Sequence, residues 1–415
     1  MRRERSAGRV AMLMASAALA LLVGALPAGA GDEITELVRA RTDTAGLAYL
    51  DVGIHLFSPG LPEGDETSLE EDGIYADVRK SEARFIPFHL KNTLIDSGHW
   101  GAVSVLPSGA QVQDVNVFGE IALSNGRAMV VSIRVVDASG RVWRDTRYKQ
   151  IADELAYGPE RLEPVDPLQS IYNRVANDML ESRDKLDEEE LRAIHEVSRL
   201  RFAVDVAPQA YGDYLSQSKN GRYRIQRLPA DNDPMIMRLE SIRQRDDAFV
   251  DTLNEHYADF YDRMAYPYGE WRRISYDEEM QLRAIRKEAR MQKIMGGLLI
   301  LGGLAADGSS TAARVARDAA VIGGGIVLKN GFDKGKQTKI HVAALNELAA
   351  SFDAEMAPLL VEVDGQVLRL EGSAESQYAE WRRLVSEILE SEMALPVDLN
   401  EPSLPASAST GDSGR

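Results

Sequence analysis

Ser216-Gln217-Ser218-Lys219 places a serine and a lysine three residues apart, the spacing at which a lysine one helical turn on can take a serine's proton. Serine acylation of that type also needs Ser-Asp-Asn and Lys-Thr-Gly partner segments. Neither occurs in the chain, and Asn220-Gly221 would break a helix there, so a polar loop is expected. Gly331-Phe332-Asp333-Lys334-Gly335-Lys336-Gln337-Thr338 comes near a phosphate-binding loop. It has three residues between its glycines where four are required, and one too many before Thr338. Its amides would not form the cradle, and a Gly/Lys turn between helices is the expected structure.

Metal and thiol chemistry fare no better. The six histidines are His55, His89, His99, His195, His256 and His341, and no two stand at ligand spacing. His195-Glu196 lacks the second histidine of a zinc helix. The acidic clusters at 63–72, 187–190 and 277–279 do not follow the alternating calcium-loop spacing with its central glycine. Solvated loops and helix N-termini, where carboxylates favour the dipole, account for them. The chain has no cysteine, hence no disulfide, thiol nucleophile or thiolate site. It also lacks a Gly-x-Ser-x-Gly elbow and a dinucleotide fingerprint. No catalytic, cofactor-binding or metal-ligating residue is assigned, and no cofactor is implied.

The N-terminus indicates where the chain works. Arg2, Arg3, Arg5 and Arg9 precede an apolar run over residues 10–26, and Pro27 is followed by Ala28-Gly29-Ala30. A basic region, an apolar region and a small-x-small site, in that order, form a cleavable secretory signal. Cleavage is expected between Ala30 and Gly31, giving a periplasmic or otherwise extracytoplasmic protein. No cysteine follows the apolar run to carry a lipid. The chain has a formal charge of −17, and residues 1–30 carry four arginines against one glutamate, so the remainder is more acidic still. Such a surface disfavours nucleic acid and other polyanions. With 44% hydrophobic residues in 415, an ordinary core can form without disulfides.

The expected fold class is α+β. After the signal, residues 31–155 read as a small domain with an antiparallel sheet and one helix. A strand-like stretch over 45–57 is followed by the acidic loop and a helix over 78–95, with Pro87 inside it and Gly98 at its end. Strands then fall at 101–106, 115–123, 129–137 and 142–148, with Asn125-Gly126 as the first hairpin signal. Residues 164–293 read as a mainly helical domain. Leu239, Ile242, Phe249, Leu253, Tyr257, Phe260 and Met264 form a stripe suited to helix packing. Pro267 and Gly269 are expected to end that helix, and Ser275 with Glu278 to start another.

Residues 294–330 read as a glycine-rich apolar helical hairpin. Gly296, Gly297, Gly302 and Gly303 lie on its first arm, and Gly323, Gly324 and Gly325 on its return. Paired glycines let backbones approach closely, so these seven are the candidate interaction residues. The first arm is thirteen residues, where a spanning helix needs about 20. A buried hairpin, a self-association face and membrane insertion all remain open. Residues 337–393 read as helix, β-hairpin and helix, with Asp364-Gly365 at the turn, and 394–415 as a disordered tail.

Two resemblances follow from these segments. The strand and helix before "SGHWGAVSVLP", with "VNVFGEIALSNGRAMVVSIRVVDASGRVWRDTRYK" after it, make residues 45–150 similar to the TolB N-terminal, CsgG-like and ABC-transport auxiliary envelope domains. The chain departs from them in lacking a lipobox cysteine and in its long acidic loop. "VDGQVLRLEGSAES" resembles half of a BON-type envelope domain over 359–390. Both resemblances imply a binding or assembly module. The expected function is therefore a non-enzymatic exported envelope protein. It would join an envelope partner or its own kind, with membrane contact open, through residues 294–328. The alternative is an exported hydrolase with scattered catalytic residues.

Overall fold

The computed structural model describes residues 34–41, 49–64, 69, 74–107, 110–152, 154–157, 166–230, 233–303, 342–347, 350, 359–363 and 366–394. The signal segment, the tail beyond 394, residues 304–341 and His341 lie outside the described residues, as do Gly323, Gly324, Gly325 and the loop at 331–338. The chain is α+β. A five-stranded sheet holds β1 (Val52–His55), β2 (Val103–Leu106), β3 (Val115–Ser124), β4 (Ala128–Asp137) and β5 (Val142–Ile151) in the order β2-β1-β3-β4-β5.

The sheet is mixed, which corrects the antiparallel expectation. Strand β1 pairs parallel with both β2 and β3, and only β3, β4 and β5 form an antiparallel meander. The reason lies in β1 itself: Val52, Gly53 and Ile54 are all buried, and an apolar strand covered on both faces suits a central parallel position. Parallel neighbours need a crossover, and helix α1 (Ala76–Ser97) supplies it between β1 and β2. Residues 103–106 thus form an edge strand beyond β1 instead of the first rung of the meander.

Helix α1 ends where expected, with Gly98 at φ 70° as its left-handed cap. Pro87 stays within the continuous helix and is buried. One face of α1, with Ile86, Leu90 and Leu94, packs on the sheet beside Ile171, Val175 and Met179 of α2 (Gln169–Arg183). Helix α3 (Glu188–Val206) starts with a capping box: Asp187 accepts from the Glu190 amide at 2.8 Å, and Glu190 from the Asp187 amide at 3.3 Å. That accounts for the acidic cluster at 187–190.

Helix α4 runs unbroken over Pro234–Gly303, correcting the expected stop at Pro267 and restart at Ser275. Proline in a helix removes a hydrogen bond and costs about 3 kcal/mol. Met264, Tyr268, Trp271 and Ile274 continue the apolar stripe across it, all 5% exposed or less. Burial of these large side chains outweighs the local penalty. The opposite face of α1, with Val78, Phe85 and Phe88, packs on this stripe, so α1 lies between the sheet and α4. Helix α5 (Ala374–Ala394) joins the same core through Tyr378, Trp381 and Val385. It follows hairpin β8 (Leu359–Val363) and β9 (Gln366–Leu370), whose register pairs Val363 with Gln366, the two strand ends that flank the Asp-Gly signal in the sequence.

Gly126 serves a different purpose from the one its Asn-Gly context suggests. A Cβ there would lie 1.9 Å from the Arg272 carbonyl oxygen and 2.2 Å from the Tyr276 amide. The glycine lets the β3–β4 tip touch the backbone of α4, while Asn125 shapes the turn by accepting from the Arg127 and Ala128 amides.

Buried polar contacts fix α4 between Asp246 and Arg272. Asp246 accepts from the Tyr378 hydroxyl and the Trp381 indole. Tyr261 bonds His89 at 2.7 Å, Tyr268 donates to Glu82 at 2.7 Å, and Arg272 makes a two-pronged pair with Asp166 at 2.6 and 3.0 Å. Burial alone would raise the Asp166 carboxyl, yet the Arg272 guanidinium holds it well below the carboxylate range. Asn254 is the central contact. Its amide donates to the Val105 carbonyl at 3.0 Å, and its carbonyl accepts from the Val105 amide at 2.9 Å. It thereby pairs both backbone groups of Val105, as a further strand would at that residue. Asn254→Ala should lower unfolding free energy by about 2–4 kcal/mol, because it strands two buried backbone groups. Urea denaturation checks this, and a change below about 0.5 kcal/mol would show the clamp to be dispensable.

Candidate functional site

A cleft of about 200 Å3 opens between the start of β1, helix α3 and helix α4. The parallel register Val52↔Val115 sets Asp51 and Asp114, one residue earlier on adjacent strands, side by side. Asp114 is fully buried, and its Oδ2 accepts from the Asp51 amide and from His195 Nδ1, each at 3.1 Å. Its Oδ1 has no hydrogen-bond partner. Asp51 Oδ1 in turn accepts from the Ala102 amide at 2.7 Å. A Cβ on Gly101 would come within 2.3 Å of that oxygen. Two aspartates therefore knit the beginnings of β2, β1 and β3 at the cleft floor.

Helix α3 contributes His195, Glu196 and Arg199 to the wall, and α4 contributes Glu240, Arg243 and Asp247. Arg199 bridges Glu196 and Glu240 across the two helices. Arg243 donates to Ser198 Oγ at 3.2 Å. Leu200, Phe202, Ile236 and Leu239 give the cleft an apolar side. Burial pushes the Asp51 and Asp247 carboxyls above the usual range. His195 is half exposed and is held above the ordinary histidine value by its hydrogen bond to Asp114. In the neutral ring, donation from Nδ1 to Asp114 leaves Nε2 as a proton acceptor. Ser198, the hydroxyl nearest in sequence, is buried and donates to the Val112 carbonyl, so it does not supply a nucleophile.

The sequence candidates fall elsewhere. Gly296, Gly297, Gly302 and Gly303 occupy the last turns of α4; the other three glycines lie outside the described residues. Ser216 sits in the short hairpin of β6 (Leu215–Gln217) and β7 (Tyr223–Ile225), where it accepts from Gln226, with Lys219 in the turn. His55 stacks on Phe118 at 4.3 Å, and His89 is held between Tyr261 and Gln169. Among the described residues no three acidic or histidine side chains converge as a metal site. The dyad of His195 and Asp114 escaped sequence reading because 81 residues separate its members. The only local signal was His195 within a capped amphipathic helix.

No protein-family model matches the sequence, and no curated protein matches it. One solved structure is similar: the crystal structure of protein XCC0632 from Xanthomonas campestris, described by the family DUF330. It is 9% identical, covers 38% of this chain and 92% of its own, and superposes with a TM-score of 0.16. A likeness that slight carries no argument.

A raised histidine stabilises the fold fully below its unfolded value, and that contribution is lost as pH rises through the folded one. The His195 resonance should therefore titrate above 6.5. In Asp114→Asn the midpoint should fall, because the hydrogen bond to the carboxylate that raises it is gone. NMR titration checks both, and an unchanged midpoint would remove Asp114 as the cause.

Proposed function

We propose that this chain is an exported cell-envelope protein that binds or assembles, with its body holding a long helix out for contact. One observation carries the reading. Among the residues of α4 whose burial is described, Tyr276 is the last buried one, and every residue from Met280 to Glu288 is exposed. From Asp277 to Met291 that is about 22 Å of helix with no buried residue among those described, at 1.5 Å per residue. In sequence the helix goes on into the uncharged run from Ile294 through the paired glycines. A helix rarely stays in water with large apolar side chains uncovered unless something meets them. Among the described residues no helix is long and apolar enough to cross a membrane, so contact at a surface is the version favoured here. Carbonate washing of fractionated cells tests it. The protein should appear outside the cytoplasm, in a complex or peripheral to the membrane, and a monomer confined to the cytoplasm would overturn the reading.

The exported hydrolase is the second reading, favoured by His195 and Asp114 beside an open cleft. Under the binding reading, the wild-type chain turns over no ester or peptide substrate in a broad panel. Turnover that falls at least about a hundredfold in His195→Ala, the range of general-base catalysis, would replace the first reading with the second.

A further inference from the structure

We infer that β5, the open edge of the five-stranded sheet, is where two copies of this chain pair edge to edge and antiparallel, Asp145 of each opposite Arg147 of the other; this rests on the assembly reading and names its partner. The sheet order ends on β5, with no strand beyond it among the described residues. In an antiparallel ladder a strand points the amide and carbonyl of every second residue at its neighbour and those of the rest away. Ala152, just past β5, donates to the Arg127 carbonyl at 2.7 Å. From there the register runs without a shift, from Ala128↔Ile151 to Val135↔Arg144. Even-numbered residues of β5 therefore bond β4, and Asp145, Arg147 and Lys149 turn their backbone groups outward. Arg174 of α2 donates to the Lys149 carbonyl, which agrees with that direction and marks where the open stretch stops. No described residue bonds the outward groups of Asp145 and Arg147.

Charge on an edge strand usually turns partners away. Here it selects one. Asp145, Thr146 and Arg147 are all exposed. Neither Asp145 nor Arg147 has an ion-pair partner among the described residues, and Arg147 reaches only Ser132 Oγ, at 3.5 Å. Tyr148 donates to Asp178 of α2, so even-numbered side chains lie on the helix-covered face, while Asp145 and Arg147 share the open one.

Outward backbone groups of two copies meet only where odd-numbered residues stand opposite each other. A two-fold axis at Asp145 would set aspartate against aspartate, and one at Arg147 arginine against arginine. An axis at Thr146 sets Asp145 opposite Arg147 twice, with the two threonines facing each other between them. Opposite charges directly across two strands stabilise the pair, and like charges weaken it. The Thr146 register is thus self-complementary, and its two-fold axis closes the contact after two copies.

The test uses the whole chain without its signal segment. Sedimentation velocity should show a concentration-dependent dimer. Arg147→Pro removes an amide that β4 does not use. Circular dichroism and melting should therefore stay near wild type, while pairing weakens at least about tenfold through a hydrogen bond lost from each copy. Asp145→Arg and Arg147→Asp should each repel their own kind and run as monomers, and an equimolar mixture should pair. Facing residues that do not bond each other lie about 4.5 Å apart at Cα, within disulfide reach. The chain has no cysteine of its own. Thr146→Cys should therefore oxidise in air to a covalent dimer, and Ser241→Cys, exposed on α4, should not.

A monomer at every concentration overturns the pairing. A dimer that tolerates Arg147→Pro and both charge reversals, or that leaves Thr146→Cys uncrosslinked, overturns this interface. Either result leaves the assembly reading standing, since that reading falls on a cytoplasmic location and not on failure of this edge to pair.

Discussion

The side-chain amide of Asn254 holds the edge of β2 to the long helix, and much of the architecture depends on that contact. An unpaired strand edge offers its amides and carbonyls to any passing chain. Here Asn254 takes both polar groups of Val105 and also accepts from Lys91 at 2.9 Å. The helix carrying it cannot slide or rotate without exposing that edge. Eight residues earlier Asp246 binds α5, and at seven-residue steps beyond Asn254 come Tyr261 and Tyr268, facing α1. Apolar packing supplies the attraction between helix and body, while these directional bonds select one register.

The same contacts decide where the body ends. Arg272 is buried against Asp166, and its ring neighbour Tyr268 lies 4.4 Å below the guanidinium. The β3–β4 tip reaches the α4 backbone beside it only because Gly126 has no side chain. Tyr276, packed on Tyr157, closes this contact. Past that point every residue of α4 from Met280 to Glu288 is exposed. The exposed stretch of α4 thus begins where its buried contacts with the body stop.

Local chemistry was readable in the sequence where local chemistry decides the structure. The strands at 115–123 and 129–137, the acidic helix start at 187–190, Gly98 as a helix cap and the Asp-Gly hairpin all rest on neighbours within a few residues. Nonlocal competition hid the rest. The apolar run at 52–54 fits a central parallel strand as well as a meander, and only pairing with 103–106 and 115–117 decides between them. Pro267 is a sound stop signal by propensity, overruled by Tyr268 and Trp271, whose burial depends on α1. The cleft was least legible of all, because Asp51, Asp114 and His195 meet only once the β1–β3 register is set.

Hydrogen exchange along α4 tests most directly whether the helix is locked to the sheet through Asn254 and the contacts on either side. If it is, amides from 246 to 272 exchange only with the sheet, at the rate of global unfolding and with the same denaturant dependence. Amides in that stretch exchanging well ahead of β1 and β3 would show a helix that merely rests on the body, and the account would fail.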